Sequence, residues 1–348
     1  HGNDKLLFND TPFIPMKMRP QAHDIIRTWT FYTIVKAYMH QKTIPWTDVV
    51  ISGHVVSDQK EKISKSKESN ALSPENLLSR YPADVIRYWT ASGSLGQDIA
   101  FSENQLKIGL RLVTKIWNAF LFTKEHMKKN GDVPEKLGTI NEWLLHTSSQ
   151  CFDQFTKYLE QNEFGLALNQ VEQFFWHHFC DNYVELIKNQ LFNPQDYTPQ
   201  EVTATQWTLY YSGLRILQLY APYLPHITET IYQLIYKEHE TIPSIHQTRF
   251  QNIQHRYMFE ESAILTQHLI TIVSQVRKLK TEQQFSLKVP LASLIIYTES
   301  DTLREQLQQQ EQLIRGVTHA QEIKYKIGTI DAPVLHEIDG LWHAKVSD

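Results

Sequence analysis

Val49-Val50-Ile51-Ser52-Gly53-His54-Val55-Val56 is a short β-branched run bounded by turn residues, which predicts one buried strand and not a helix. Soon after it comes Lys62-Ile63-Ser64-Lys65-Ser66. Two lysines and two hydroxyls on a short loop suit the leaving side of a triphosphate, because a lysine is a compact, mobile charge that can follow negative charge as it develops. Gly53, at the strand end, lets a planar ligand approach the backbone. Upstream, Asp24 to about Met39 carries a helical apolar pattern. By itself, a five-residue string of lysines and serines fits a solvated surface loop equally well.

The loop hands over to a helix with a clear start, Ser73 as N-cap and Pro74 at the first helical position. From Glu103 the pattern turns long and helical. Leu106, Leu110, Val113, Trp117 and Phe120 predict one apolar stripe, Leu168, Val171, Phe175 and Phe179 a second, and Leu209, Leu214, Leu217 and Tyr220 a looser third. Gly131-Asp132-Val133-Pro134 and Phe192-Asn193-Pro194 break the helices. The last hundred residues change character: a helix on Ile264, Leu265, Leu269, Ile272, Val273, Val276 and Leu279 precedes a strand at Leu294–Tyr297, a Gln-rich helical stretch, and strands at Ile323–Ile327 and Leu341–Val346.

The 348 residues, 41% of them hydrophobic, suffice for two or three cores. No apolar run nears the ~18 residues of a membrane span, and no charged-then-apolar leader is present, which predicts a cytoplasmic protein. Cys151 and Cys180 belong to no CxxC pair, which argues against a disulfide framework or a structural metal. His177, His178 and Cys180 are a tempting trio, but neighbouring helical residues diverge by about 100°. A net charge of -4 weighs mildly against a nucleic-acid partner. Local clusters at Lys107, Arg111, Lys115, Lys124, Lys128 and Lys129, and at Arg277, Lys278 and Lys280, can still steer one.

Longer blocks carry a family resemblance. Met18-Arg19-Pro20-Gln21-Ala22-His23-Asp24-Ile25-Ile26-Arg27-Thr28-Trp29 is followed in order by Ile51-Ser52-Gly53-His54, the lysine loop, and Ala83-Asp84-Val85-Ile86-Arg87-Tyr88-Trp89. Lys115-Ile116-Trp117-Asn118-Ala119, Phe179-Cys180-Asp181 and Pro222-Tyr223-Leu224-Pro225-His226-Ile227-Thr228-Glu229 complete the series. The chain thereby resembles the class I aminoacyl-tRNA synthetases, whose second signature is KMSKS, and within them the valine-specific branch. Isoleucyl and leucyl members, or a tRNA-binding module without catalysis, are the alternatives.

The resemblance implies a multidomain, mainly α architecture. Residues 1–66 would be the C-terminal half of a Rossmann-like nucleotide fold, 67–104 a connecting domain against the tRNA stem, 105–255 an antiparallel anticodon-binding helix bundle, and 256–348 a small α+β appendage. The family's first signature, HIGH, does not occur and the chain opens at His1 without Met, so the reading is a C-terminal part that lacks the first half of the catalytic fold and the editing domain and binds tRNA without catalysing by itself.

The implied reaction is attack of the valine carboxylate on the α-phosphate of ATP, with Mg2+ accompanying the nucleotide, then transfer to the terminal adenosine of tRNA-Val by a monomeric enzyme. Lys62 and Lys65 would be catalytic, with Ser64 and Ser66 on phosphate oxygens. Gly53 and His54 would hold the adenosine side, Asp24 the ribose, and Trp29 a wall of the amino-acid pocket. Arg111, Lys115, Asn118 and Phe122 would approach the anticodon arm. Three positions depart from the pattern: Ala22 stands for a glycine, Ile63 for a methionine, and Lys67-Glu68-Ser69-Asn70 lacks the glycine that follows the loop.

Overall fold

The computed structural model describes residues 14–56, 73–129, 133–249 and 257–348. The expected lysine loop, with Lys62, Ser64, Lys65 and Ser66, lies outside the described residues, as do Gly131 and Asp132 of the expected helix break. The chain forms two compact units, one of residues 1–114 with 156–169 and one of 115–155 with 170–348. Among the described residues no helix is long and apolar enough to cross a membrane.

In the first unit, β1 (Met16–Ala22) and β2 (Trp46–Ser52) pair in parallel, with Ala22 opposite Ser52 at their shared C-terminal edge. Parallel neighbours need a crossover, and the predicted helix supplies it. It opens as a 3-10 turn over His23–Ile25, widens through Ile26–Thr30, and becomes α1 (Phe31–Gln41), which ends on Lys42 in the left-handed region.

The predicted single strand is divided. β2 starts earlier than expected, at Trp46, and stops at Ser52, and β3 (Val55–Val56) is a separate strand paired with β4 (Ile99–Ala100). The strand is also less buried than the β-branched run suggests, with Val49 38% and Val55 42% exposed. A parallel sheet is buried on both faces only when helices cover both, and α1 itself buries no residue.

Gly53 has a structural reason that the sequence does not disclose. A Cβ added there would overlap the Gln97 carbonyl oxygen, so the strand end needs glycine to let the chain at Gln97 and Asp98 pass. The expected close approach is therefore made by the protein's own backbone.

Ser73 caps α2 (Pro74–Arg80) as predicted, its hydroxyl accepting from the Asn76 amide at 3.3 Å. Leu77 packs with Val85 and Trp89 of α3 (Ala83–Ala91) and with Leu106 of α4 (Glu103–Lys124). The stripe along α4 differs from the predicted one. Leu110 and Trp117 are exposed, and the buried line runs through Leu106, Gly109, Leu112, Ile116 and Phe120. Gly109 is a core position because it has no side chain: a Cβ there would come 2.8 Å from the Tyr88 ring.

The second unit takes α4 from Lys115 onward and most of α5 (Thr139–Glu160). It continues with the end of α6 (Phe164–Gln173), a wide π turn over Phe174–Tyr183, and α7 (Val184–Phe192). The stripe Leu168, Val171, Phe175 and Phe179 is buried throughout. α8 (Pro199–Tyr220) opens on a reciprocal cap between Thr198 and Glu201, and α9 (Pro225–Ile231) follows it. A buried polar chain ties α5, α7 and α8 together. The Tyr183 hydroxyl donates to Asn141 Oδ1 at 2.7 Å, Asn141 Nδ2 donates to Thr205 Oγ1 at 3.1 Å, and Thr205 donates to Gln190 Oε1 at 2.8 Å.

The C-terminal part packs in this same unit. α10 (Glu260–Glu282) follows the predicted spacing except at Ile264, which is 63% exposed. It precedes a mixed sheet in the order β6-β5-β8-β7, with β5 Leu291–Thr298, β6 Ala320–Ile327, β7 Val334–Ile338 and β8 Leu341–Ser347. The Gln-rich stretch is α11 (Asp301–Gln309) and α12 (Glu311–Thr318). On α12, a Cβ added to Gly316 would lie 2.7 Å from the Asn189 Cβ of α7, and Gln312 Nε2 donates to the Asp196 carbonyl at 2.6 Å.

Lys280 corrects an expectation. It was grouped with Arg277 and Lys278 as a surface cation, yet it is 1% exposed. Its ammonium donates to the carbonyls of Leu287, Val289 and Thr318 at 3.0, 2.7 and 2.8 Å. Burial pulls its pKa down to about 8, and three carbonyls match the three N–H donors of the charged form. Arg277 is turned to Glu185 at 3.5 Å, and of the three only Lys278 is a surface charge.

Two substitutions test these assignments. Lys280→Met leaves three carbonyls without their donor, and at about 1–3 kcal/mol for each unsatisfied group it should cost about 3 kcal/mol or more. The readout is a loss of amide-exchange protection along β5 and β6, and unchanged protection would contradict it. Gly53→Ala should break the β3–β4 pairing without any ligand present, seen as faster exchange of the Ile99 amide, which donates to the His54 carbonyl at 2.8 Å.

Candidate functional site

Two places gather the candidate residues, one in each unit. In the first, Asp24 and His54 stand just beyond the C-terminal ends of β1 and β2. Ligands of open α/β sheets bind outside the carboxyl ends of the strands. His54 Nε2 lies 3.8 Å from Asp24 Oδ2, an ion-pair distance when the imidazole is protonated and too long for a hydrogen bond. The backbone holds His54 in place, since its amide donates to Asp98 Oδ1 at 2.7 Å. The His23 ring stands edge-on to it, centroids 4.6 Å apart. The Asp24 carboxylate is thus presented beside a fixed imidazole at a strand end, an arrangement that can accept hydrogen bonds from a diol.

Trp29 is 39% exposed, so it is not an ordinary core aromatic. Its ring stacks on Trp46, centroids 5.7 Å apart and planes 7° from parallel, and the Arg19 guanidinium lies 4.0 Å from its centroid. The cation and the second indole fix the plane of a half-open wall. Gln21 on the same strand as Arg19 is buried, its Oε1 accepting from the Thr30 hydroxyl at 2.5 Å. In the sequence Arg19 and Gln21 are only parts of a motif, and their contact roles come from the fold.

In the second unit, Lys115, Asn118 and Phe122 of α4 line one groove of about 180 Å³, as their spacing predicts. The opposite wall is Cys180, Val184, Glu185 and Lys188. Arg111 is exposed on the same helix but belongs to the first unit. Lys188 Nζ lies 5.8 Å from the Phe122 centroid and 2.5 Å from Glu185 Oε1. Phe192 and His126 each stand about 6.1 Å from the Phe122 ring centroid, and Phe192 is 62% exposed. Lys115 Nζ reaches over Trp176 at 5.4 Å.

The groove thus carries two lysines against one carboxylate with an aromatic floor, a lining suited to phosphate and base together. Burial pushes the Cys180 thiol up to about 12, so it is a neutral wall and no nucleophile. The Cys151 thiol is likewise pushed up to about 12. Lys188, Glu185 and Phe192 were missed in the sequence, where nothing says that α7 lies across α4.

The tempting metal trio is dispersed by the helix. His177 turns to Asp181 at 3.5 Å, His178 packs against Trp143 and Phe174, and Cys180 faces the groove. Among the described residues no three His, Cys, Asp or Glu side chains form a metal cage.

Two family models match the chain in succession. The model "tRNA synthetases class I (I, L, M and V)" covers residues 8–102, and "Anticodon-binding domain of tRNA ligase" covers 141–296. The first includes the strand-end site and the second includes Cys180, Glu185 and Lys188. Valine–tRNA ligases of Rickettsia felis and Rickettsia akari are each 37% identical to the chain over 324 residues, 90% of its length. That of Rickettsia prowazekii is 38% identical over 327 residues. The chain spans little more than a third of these relatives, 36%, 38% and 38% of their respective lengths. Among solved structures, a LeuRS–tRNA–LeuAMS ternary complex from Agrobacterium radiobacter shares the fold, with a TM-score of 0.52 and 15% identity over 70% of this chain and 30% of that one. The two models fall in order along the chain, and the relatives align along nine-tenths of its length, so the chain is similar to class I tRNA synthetases over most of its sequence.

Proposed function

We propose that the chain is the part of a valine–tRNA ligase that follows the first half of the nucleotide fold, and that it contributes one side of the ATP site together with the tRNA-reading surface. Residues 1–66 then belong to the nucleotide fold, 67–104 to a connecting domain, 105–255 to the anticodon-binding bundle and 256–348 to an α+β appendage of a monomeric, cytoplasmic enzyme.

The reaction joins valine to ATP with Mg2+ on the phosphates, and then to tRNA-Val. Both steps move negative charge, so fixed positive charge and positioning supply the catalysis. Lys62 and Lys65 would hold the departing pyrophosphate, with Ser64 and Ser66 on its oxygens. Gly53 and His54 would border the adenosine, the Asp24 carboxylate would accept from the ribose hydroxyls, and Trp29, fixed by Arg19 and Trp46, would wall the valine pocket.

The observation that carries the tRNA reading is the groove between α4 and α7. Lys115 and Lys188 supply the phosphate attraction, Asn118 an amide that can both donate and accept, and Phe122 a ring on which an unpaired anticodon base can stack. Arg111, in the first unit, would be a separate tRNA contact.

Titrations of the chain with valine tRNA and an anticodon-swapped tRNA, each at two salt concentrations, test this. Phe122→Ala should cost about 1–3 kcal/mol on the valine tRNA, the value of one stacked base, and narrow the gap between the two RNAs. Lys115→Ala should weaken both equally and lower the salt slope by about one. A folded Phe122→Ala protein that binds both RNAs as the unsubstituted chain does would place the anticodon on another face.

A further inference from the structure

A cavity of about 480 Å³ opens beside α8 in the second unit, and it shares no lining residue with the Lys115 groove. Three cations line it, Lys129, Arg215 and Arg249, against one carboxylate, Glu240. That carboxylate is already engaged: it accepts from Lys129 Nζ at 3.2 Å and from the Tyr210 hydroxyl at 2.7 Å. Two positive charges therefore remain in excess along the lining.

Arg215 is the informative one. It is only 6% exposed, and its hydrogen-bond partners are neutral: Gln218 Oε1 at 3.0 Å and the Tyr211 hydroxyl at 3.3 Å. Its Cζ lies 5.3 Å from the Tyr211 ring and 5.9 Å from the Phe152 ring. Among the described residues no carboxylate forms an ion pair with it. A guanidinium stays charged and carries five N–H donors. Burying one without an opposite charge is expensive, and the aromatic faces recover part of that cost. Among the described residues the other buried cation is Lys280, which meets its full complement of acceptors, so among them the shortfall is particular to Arg215.

We infer that the cavity is an oxyanion site that takes a phosphate group. The planar fork of Arg215 would meet two phosphate oxygens side by side, and exposed Arg249 would supply the second charge. Lys129, tied to Glu240, would set the far edge. The phosphate can belong to a small phosphate compound or to an RNA backbone. Both present the same tetrahedral oxyanion, and the experiment separates them.

Thermal unfolding of the full chain is followed in potassium phosphate and in potassium chloride at matched ionic strength. Phosphate stabilises proteins in general by exclusion from their surface, without saturation, so the diagnostic is a saturable part on top. The unsubstituted chain should show such a rise of about 3 °C. Arg249→Gln, on the surface, should keep the fold and move the midpoint at least about fivefold higher in phosphate. Arg215→Gln should remove the saturable part, and should it not fold, Arg249→Gln decides alone.

A short single-stranded RNA without terminal phosphates forms the second arm. Protection by it that is lost in the same variants assigns the site to RNA backbone, and protection by inorganic phosphate alone assigns it to a small phosphate compound. Equal rises in the unsubstituted chain and in every variant that folds overturn the proposal.

Discussion

The hydrogen bond from Tyr183 to Asn141 is closed off from water, and the geometry of the helical unit depends on it. Burial raises the phenol's pKa far above its ordinary value, so it remains a donor at any physiological pH. Asn141 passes the constraint on to Thr205, and Thr205 to Gln190. Were α7 to turn or slide by one residue against α5 and α8, several polar groups would lose their partners in a place that water cannot reach, each at about 1–3 kcal/mol. Apolar packing alone tolerates such slips far better. Because Tyr183 sits between Cys180 and Glu185, fixing it also fixes which side chains of that segment face α4. The groove is thus a by-product of a buried register.

What was legible in the sequence follows from this. The α1 helix, part of β2, the Ser73 cap, the Phe175–Phe179 stripe and most of the C-terminal elements were readable because each rests on a local pattern, whereas β1 (Met16–Ala22) carried no expected strand. The stripe on α4 was misread by one helical position, since Gly109 counts as nothing on a hydropathy pattern while its empty side is what admits Tyr88. β7 was missed because Val334-Leu335-His336-Glu337-Ile338 is short and half polar, and among the described residues its strand partner is β8 alone. The site residues divided in the same way. Lys115, Asn118 and Phe122 share a face by spacing, whereas Glu185 and Lys188 join them only through the crossing of two helices.

Buried charge was the least legible feature of all. Lys280 and Arg215 look like surface residues in sequence, and each is more than nine-tenths buried. Their side chains explain why the two sites differ in kind. An ammonium is a point with three donors, so three convergent carbonyls close its account within the protein. A guanidinium is a flat fork with five, and among the described residues Arg215 is met by ring faces and neutral acceptors and by no carboxylate ion pair. A net charge of -4 for the chain conceals both.

The contact between Gly316 and Asn189 bears on how such proteins can diverge. Helices that meet at a glycine are complementary in shape at one point, and that point is shared between stretches of chain more than a hundred residues apart. A recombination event that brought in a foreign C-terminal segment with any larger residue at 316 would meet an obstruction on α7, whatever the quality of the incoming sheet. The α10-to-β8 segment and the helices it rests on therefore constrain each other at this one residue.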